Sequence, residues 1–206
     1  QVSLLLQSSG HVGGDLVGHY KIDDHRMGLF AIDVSGHGIS SALMTARLAG
    51  YLSATSRDQN IALIPANDGG YDALPPHQVI EQLNSLFLDE IETEHYFTMV
   101  LAEVDQESGH VRLAQAGHPH PLVQRANGQI EKHGTGGLPV GLIPGADYSE
   151  FEVTLDRGDR LLILSDGPIE CPNEAGDMLE DEGIDDLISS LADERGEEFL
   201  QSFLWR

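Results

Sequence analysis

The stretch Leu29-Phe30-Ala31-Ile32-Asp33-Val34-Ser35-Gly36-His37-Gly38 constrains this chain more than any other. An apolar run rich in strand formers carries an aspartate near its end, breaks into a glycine-flanked turn and continues into residues spaced as a helix. A carboxylate at that point has to be accounted for. Ionised and partly buried without a partner it is costly, so it meets a metal, another cation or several backbone N–H groups. Otherwise it shapes the turn through its own backbone. The stretch alone leaves both open.

Taken in order, Val2 to Leu6 reads as an apolar strand, and Gly13-Gly14-Asp15 as a glycine-rich turn leading into a second strand through Leu16 and Val17. Met27 to Val34 is the next strand. Past the turn, Ile39, Ala42, Leu43, Ala46 and Ala49 fall at helical spacing, which predicts a helix from Ile39 to about Leu52. Thr55 to Tyr71 has no period and reads as a long loop. Pro76 to Glu90 reads as a helix with proline in its first turn and Val79, Ile80, Leu83, Leu86 and Phe87 on one face.

From Tyr96 the period changes to two. Phe97 to Val104 and His110 to Ala116 form a hairpin; Pro121 to Gln124 and Gln129 to Lys132 flank the turn pair Asn127-Gly128. Glu150 to Leu155 and Arg160 to Leu164 are two more strands, and Met178 to Arg206 reads as two helices parted near Gly196. Helices kept apart from antiparallel strands indicate an α+β layered domain, expected to occupy residues 1–206 as a single unit.

Leu161-Leu162-Ile163-Leu164-Ser165-Asp166-Gly167 repeats the grammar of the opening stretch, an apolar strand running into aspartate beside glycine. Together with Asp15 this gives three glycine-marked carboxylates. If their strand ends converge, they make a hard-oxygen site of the kind that holds Mg²⁺ or Mn²⁺.

Charge narrows the partners. Acidic residues outnumber basic ones 34 to 11, a formal net charge of −23, and both nucleic acid and anionic membranes need a basic footprint instead. The single cysteine, Cys171, cannot form an internal disulfide, so nothing requires an oxidising compartment. The apolar runs are far too short to span a bilayer. The chain opens at Gln1 without a methionine and is read as a cytoplasmic fragment of a longer signalling protein.

Six stretches occur together: Val12-Gly13-Gly14-Asp15, Ile32 to Gly38, Phe97-Thr98-Met99-Val100, Ala116-Gly117-His118-Pro119, Gly137-Leu138-Pro139-Val140-Gly141-Leu142, and Leu164-Ser165-Asp166-Gly167 with Glu170. In content and order they resemble the bacterial sporulation and stress-response branch of the PPM (protein phosphatase 2C-like) metal-dependent serine/threonine phosphatases. The resemblance implies a sandwich of two antiparallel sheets flanked by helices, with two divalent ions, Mn²⁺ or Mg²⁺, at one edge and a metal-held water attacking phosphorus. It implies that Asp33 bridges both metals, that the Val34 carbonyl binds one, that Asp166 ligates the other, and that Asp15 serves the first directly or through water. It gives His37 no firm role; beside the turn, a side chain titrating near neutrality suits protonation of the leaving oxygen. The implied substrate is a phosphorylated regulatory protein of the anti-anti-sigma-factor type, with an upstream sensor or receiver domain.

The family pattern continues with a last strand, preceded by an Asp-Asp or Asp-Asn pair whose first aspartate ligates the second metal. The chain ends at Trp205-Arg206 before any such pair, so the fold is expected without that strand. Asp185-Asp186 is set on the exposed side of its helix by Ile184, Leu187, Ile188 and Leu191. The alternative function is therefore a phosphatase-like regulatory binding module with an incomplete metal site. A serine hydrolase built on Ser35 fails, because a nucleophile elbow wants glycine where Asp33 stands and no histidine follows His133. His118-Pro119-His120, between prolines, reads as a structural turn and not as a ligand pair.

Overall fold

The computed structural model describes residues 1–7, 13–67, 69–90, 95–172 and 178–205; Val12, which opens the first glycine motif, and Arg206 lie outside them. The strands are β1 (Asp15–Lys21), β2 (Arg26–Val34), β3 (Leu63–Pro65), β4 (Tyr71–Ala73), β5 (Phe97–Asp105), β6 (His110–Ala116), β7 (Leu122–Gln124), β8 (Ile130–Lys132), β9 (Glu150–Thr154) and β10 (Arg160–Leu162). The helices are α1 (Ile39–Tyr51), α2 (Pro76–Glu90), α3 (Glu180–Ser190) and α4 (Gly196–Trp205). Among the described residues, no helix is long and apolar enough to cross a membrane.

A five-stranded sheet runs β1-β2-β5-β6-β9 and a three-stranded sheet runs β10-β7-β8, with every pairing antiparallel. The period-two pattern explains the layers, because alternate side chains of one strand leave on opposite faces. On the five-stranded sheet, Ile32, Val34, Met99 and Leu101 pack against Leu48 of α1 and Val79, Leu83 and Phe87 of α2. The residues between them on β5, Val100 and Ala102, pack instead with Val123 of β7 and Leu161 of β10. Leu122 and Leu162 leave the far side of the smaller sheet to meet Ile184, Ile188, Leu191 and Phe199 of the last two helices and the segment between them. Two helices, two sheets and two helices thus stack around three apolar clusters, the expected α+β sandwich.

Three readings are corrected. Val2 to Leu6 forms no strand: Val2, Leu4 and Leu6 are exposed, and the segment lies against the start of α4, with Gln1 and Ser3 beside Gly196, instead of against a strand edge. The stretch Thr55 to Tyr71 is not all loop. It holds a 3-10 turn at Arg57–Gln59 and the strand β3, which pairs with β4 through Leu63–Ala73 and Pro65–Tyr71. Finally, β10 ends at Leu162, so Asp166 stands on a loop beyond the strand and not at its tip.

Candidate metal centre

The fold brings Asp15, Asp33 and Thr98 into one row. Asp33 is the register partner of Asp15 on β1 and of Thr98 on β5. Its neighbours Ile32 and Val34 are buried toward the helices, and so are Phe97 and Met99 beside Thr98. The alternation therefore turns Asp33 and Thr98 to the side facing the smaller sheet. From that second sheet the loop after β10 supplies Asp166, and the Glu170 N–H donates to the Asp166 carbonyl at 2.9 Å.

Like charges directly opposite one another on an antiparallel pair repel. Burial raises the Asp33 carboxyl to about 6, with the charges of Asp15, Asp166 and Glu170 adding to the shift. Asp15 is raised as well, first by burial and then by Asp166. This donor set suits a divalent cation: hard oxygens, with Asp15 and Asp33 partly desolvated and the neighbouring carboxylates disfavouring their ionised forms until positive charge is added. Gly14 fits the same purpose. A Cβ there would lie 2.4 Å from the Val34 carbonyl oxygen, so glycine lets the two backbones approach. Among the described residues, no three His, Cys, Asp or Glu side chains converge closely enough to grip an ion as they stand, and charge carries the fit.

A cavity of about 290 Å³ opens beside this row, lined by Asp33, Thr98, His118 and Asp166 together with residues of β7, β8 and α3. His118 is 3% exposed, and its Nδ1 lies 2.9 Å from Thr98 Oγ1. Its Nε2 is buried without a well-formed hydrogen bond among the described residues. Burial lowers the imidazole to about 4, and a smaller influence of the Leu164 carbonyl opposes it, so His118 is neutral at ordinary pH. Asp185 also lines the cavity, half-buried, with Oδ1 buried and without a hydrogen-bond partner among the described residues. This corrects the reading of Asp185 as an exposed residue; Asp186 is exposed as expected. Ile184 and Ile188 turn α3 onto the smaller sheet, and residue 185 flanks that seam at its cavity end.

The turn after Asp33 is held from several sides. Gly36 (φ 85°) and Gly38 (φ 87°) take left-handed conformations that side chains disfavour. The Ser35 N–H donates to the Tyr96 carbonyl at 2.8 Å, and the Tyr96 N–H donates to Ser35 Oγ at 3.0 Å. His95 joins the turn to α1, with Nδ1 2.7 Å from the Ser35 carbonyl and Nε2 2.7 Å from Ser40 Oγ. From the other side, the Gly14 carbonyl accepts from both the Val34 N–H at 3.2 Å and Thr45 Oγ1 at 2.9 Å.

Of the expected site residues, Asp15 and Asp33 adjoin, Asp166 is near enough to influence both, and Val34 lies against Gly14. His37 is exposed on the turn and does not line the cavity. Sequence reasoning gave no role to Thr98 or His95, and it set Asp185 aside as exposed and His118 as part of a turn. The one available signal for Thr98 was a polar residue interrupting the apolar run Phe97 to Ala102.

Residues 23–205 match the family described as Stage II sporulation protein E (SpoIIE). Phosphoserine phosphatase RsbP of Bacillus subtilis (strain 168) is 32% identical over 171 residues, covering 82% of this chain and 40% of RsbP. The chain spans under half the length of the curated relatives it matches. The solved RsbU and RsbW domains of Rv1364c from Mycobacterium tuberculosis match with a TM-score of 0.68 at 26% identity, over 90% of this chain and 48% of that one. The SiaA-PP2C domain of Pseudomonas aeruginosa, 19% identical, shares the fold with a TM-score of 0.73 over 94% of this chain and 72% of its own. The family match runs from the β1–β2 turn through α4 and takes in Asp33, Thr98, His118 and Asp166. The chain belongs to the SpoIIE family, within the bacterial sporulation and stress-response branch of the PPM phosphatases.

Proposed function

We propose that the chain is the catalytic domain of a metal-dependent protein serine/threonine phosphatase. Its substrate is phosphoserine or phosphothreonine on a bacterial regulatory protein of the anti-anti-sigma-factor type. The observation that carries this reading is the pairing of Asp15 with Asp33, with Asp166 near enough to influence both; burial first, and then these neighbouring charges, leave Asp33 raised to about 6 beside a cavity. Family membership and the likeness to a phosphoserine phosphatase support it. In this reading Asp33, Asp15, Asp166 and the Val34 carbonyl hold two divalent ions, Mn²⁺ or Mg²⁺. Bound there, such ions supply an activated water and stabilise charge on the phosphoryl oxygens. The protein's own part is to present ionised carboxylates on a fixed row, to hold the turn that carries Val34, and to donate a proton from His37 to the leaving serine oxygen.

A cytoplasmic location and an attached sensor or receiver domain belong to the same reading. The second reading is a phosphatase-like binding module, favoured by the fact that no three ligand side chains converge among the described residues. Hydrolysis of p-nitrophenyl phosphate with and without Mn²⁺ separates the two. Metal-dependent turnover, abolished in Asp33→Asn, supports the enzyme; Mn²⁺ uptake without turnover supports the module.

A further inference from the structure

Among the described residues, the cavity beside Asp33 is lined by four aspartates, Asp33, Asp166, Asp181 and Asp185, with one lysine and no arginine. That cation is Lys132, at the end of β8 and in register with Leu122, which also lines the cavity. The chain has two lysines in all, and the other, Lys21, pairs with Asp24 at the far end of β1. Several arginines have firm structural partners. Arg26 and Arg112 clasp Glu103, Arg125 holds Glu131 and Asp159, and Arg160 donates to the carbonyls of Leu191, Ala192 and Glu194.

Lys132 is held differently. Its Nζ lies 2.7 Å from Asp181 Oδ2 on α3, and the two side chains are 37% and 67% exposed. An ion pair this open to water contributes little to stability, so exchanging its anion costs little. A lysine ammonium on a flexible stem suits that exchange, and its bond to a phosphate oxygen is charge-assisted. Apart from ions held by Asp33 and Asp166, the other charged side chains of the lining are carboxylates, so Lys132 is the side chain there that can attract a dianionic ligand.

We propose that Lys132 is the phosphate-binding side chain of this cavity, and that it leaves Asp181 when a phosphomonoester enters. The assignment rests on the phosphatase reading and names a specificity residue for it. Asp181 is then the internal anion that the substrate displaces, which makes its removal a gain and not a loss.

The test measures binding of inorganic phosphate to the Mn²⁺-loaded chain by calorimetry, alongside p-nitrophenyl phosphate kinetics. Lys132→Ala is expected to weaken phosphate binding and raise KM by about tenfold, with kcat and Mn²⁺ affinity little changed, while Lys132→Arg restores part of the affinity. Asp181→Asn is expected to tighten phosphate binding, since it removes the competitor but keeps the helix. Unchanged phosphate affinity in Lys132→Ala overturns the assignment. So does an Asp181→Asn variant that weakens phosphate as much as Lys132→Ala does, because the pair is then only a strut. Failure of the phosphatase reading looks different: the wild-type chain hydrolyses nothing, whether or not it takes up Mn²⁺. In that case Lys132 is judged on phosphate binding to the metal-free chain, and absence of such binding overturns it too.

Discussion

Asp15 and Asp33 face each other across the β1–β2 ladder as register partners, two carboxylates side by side on one face of one sheet. A structure selected for stability alone would not keep that pair, since like charges opposed on neighbouring strands are destabilising. Asp33→Asn is expected to remove Mn²⁺ binding and turnover while leaving the metal-free protein as stable as before, or more stable by up to about 1 kcal/mol. Calorimetric Mn²⁺ titration and thermal melts check both halves. Full turnover in this variant would sink the two-metal assignment.

The same pair shapes the pH dependence of the metal-free protein. Asp33 is raised to about 6 in the fold from an ordinary value of 3.8, so its contribution to stability is lost as pH rises through that window. His118 moves the other way. Lowered to about 4 from 6.5, it contributes stability that is lost as pH falls through its own window. The two slopes oppose one another between pH 4 and 6. Relative to wild type, the melting temperature of Asp33→Asn should rise more with pH across that range, and that of His118→Gln should rise less. Added Mn²⁺ should stabilise the wild type more at pH 7 than at pH 5, because a cation binds the ionised carboxylates. Parallel melting curves for all three proteins would contradict both assignments.

Gly14 offers a steric test. A Cβ at that position meets the Val34 carbonyl oxygen at 2.4 Å, and backbone on both sides cannot swing away as a flexible side chain does. Gly14→Ala is expected to cost about 1–3 kcal/mol of stability and to weaken Mn²⁺ binding by moving the turn. A variant that melts like wild type and binds Mn²⁺ normally would show that the close approach is dispensable.

Glu103 provides the control. It is 7% exposed on β5, lies 3.1 Å from Arg26, and is also clasped by Arg112. Five residues along the strand from Thr98, it stands about 17 Å from the metal row. Glu103→Ala leaves two guanidinium groups without their shared anion and is expected to cost about 3 kcal/mol while Mn²⁺ affinity is unchanged. Loss of Mn²⁺ binding in the still-folded variant would show that global destabilisation alone disrupts the site.

Much of this layout was legible in the residues, and what was not has identifiable causes. Strands β5 to β9 and helices α1 and α2 follow from period and turn chemistry, because each buries one face against a layer that its own pattern implies. Register is another matter. Nothing in the local sequence says that Asp33 meets Thr98, or that Thr98 in turn holds His118, since cross-strand partners are chosen by the whole sheet. Asp185 was misjudged because its helix serves two neighbours. Ile184 and Ile188 define the apolar stripe, and the residue flanking it borders a cavity instead of solvent. Val2 to Leu6 has a strand's composition but pairs with no strand; its start lies beside Gly196 at the head of α4 instead.

His37 and His95 separate chemistry from positioning at the same turn. His37 is exposed and is proposed as the leaving-group acid; His95 touches the Ser35 carbonyl and Ser40 Oγ, both at 2.7 Å, and acts through the turn it holds. His37→Ala should therefore lower kcat by about a hundredfold, flatten one limb of the pH–rate profile, and leave Mn²⁺ affinity alone. His95→Ala should do the reverse, weakening Mn²⁺ binding through a loosened Ser35–Ser40 turn while the shape of the pH–rate profile is kept. His95→Asn, which can still donate to the Ser35 carbonyl, should recover part of the metal affinity. An unchanged pH–rate profile in His37→Ala removes it from the acid role, and altered profiles in both variants would mean that the turn moves as one body.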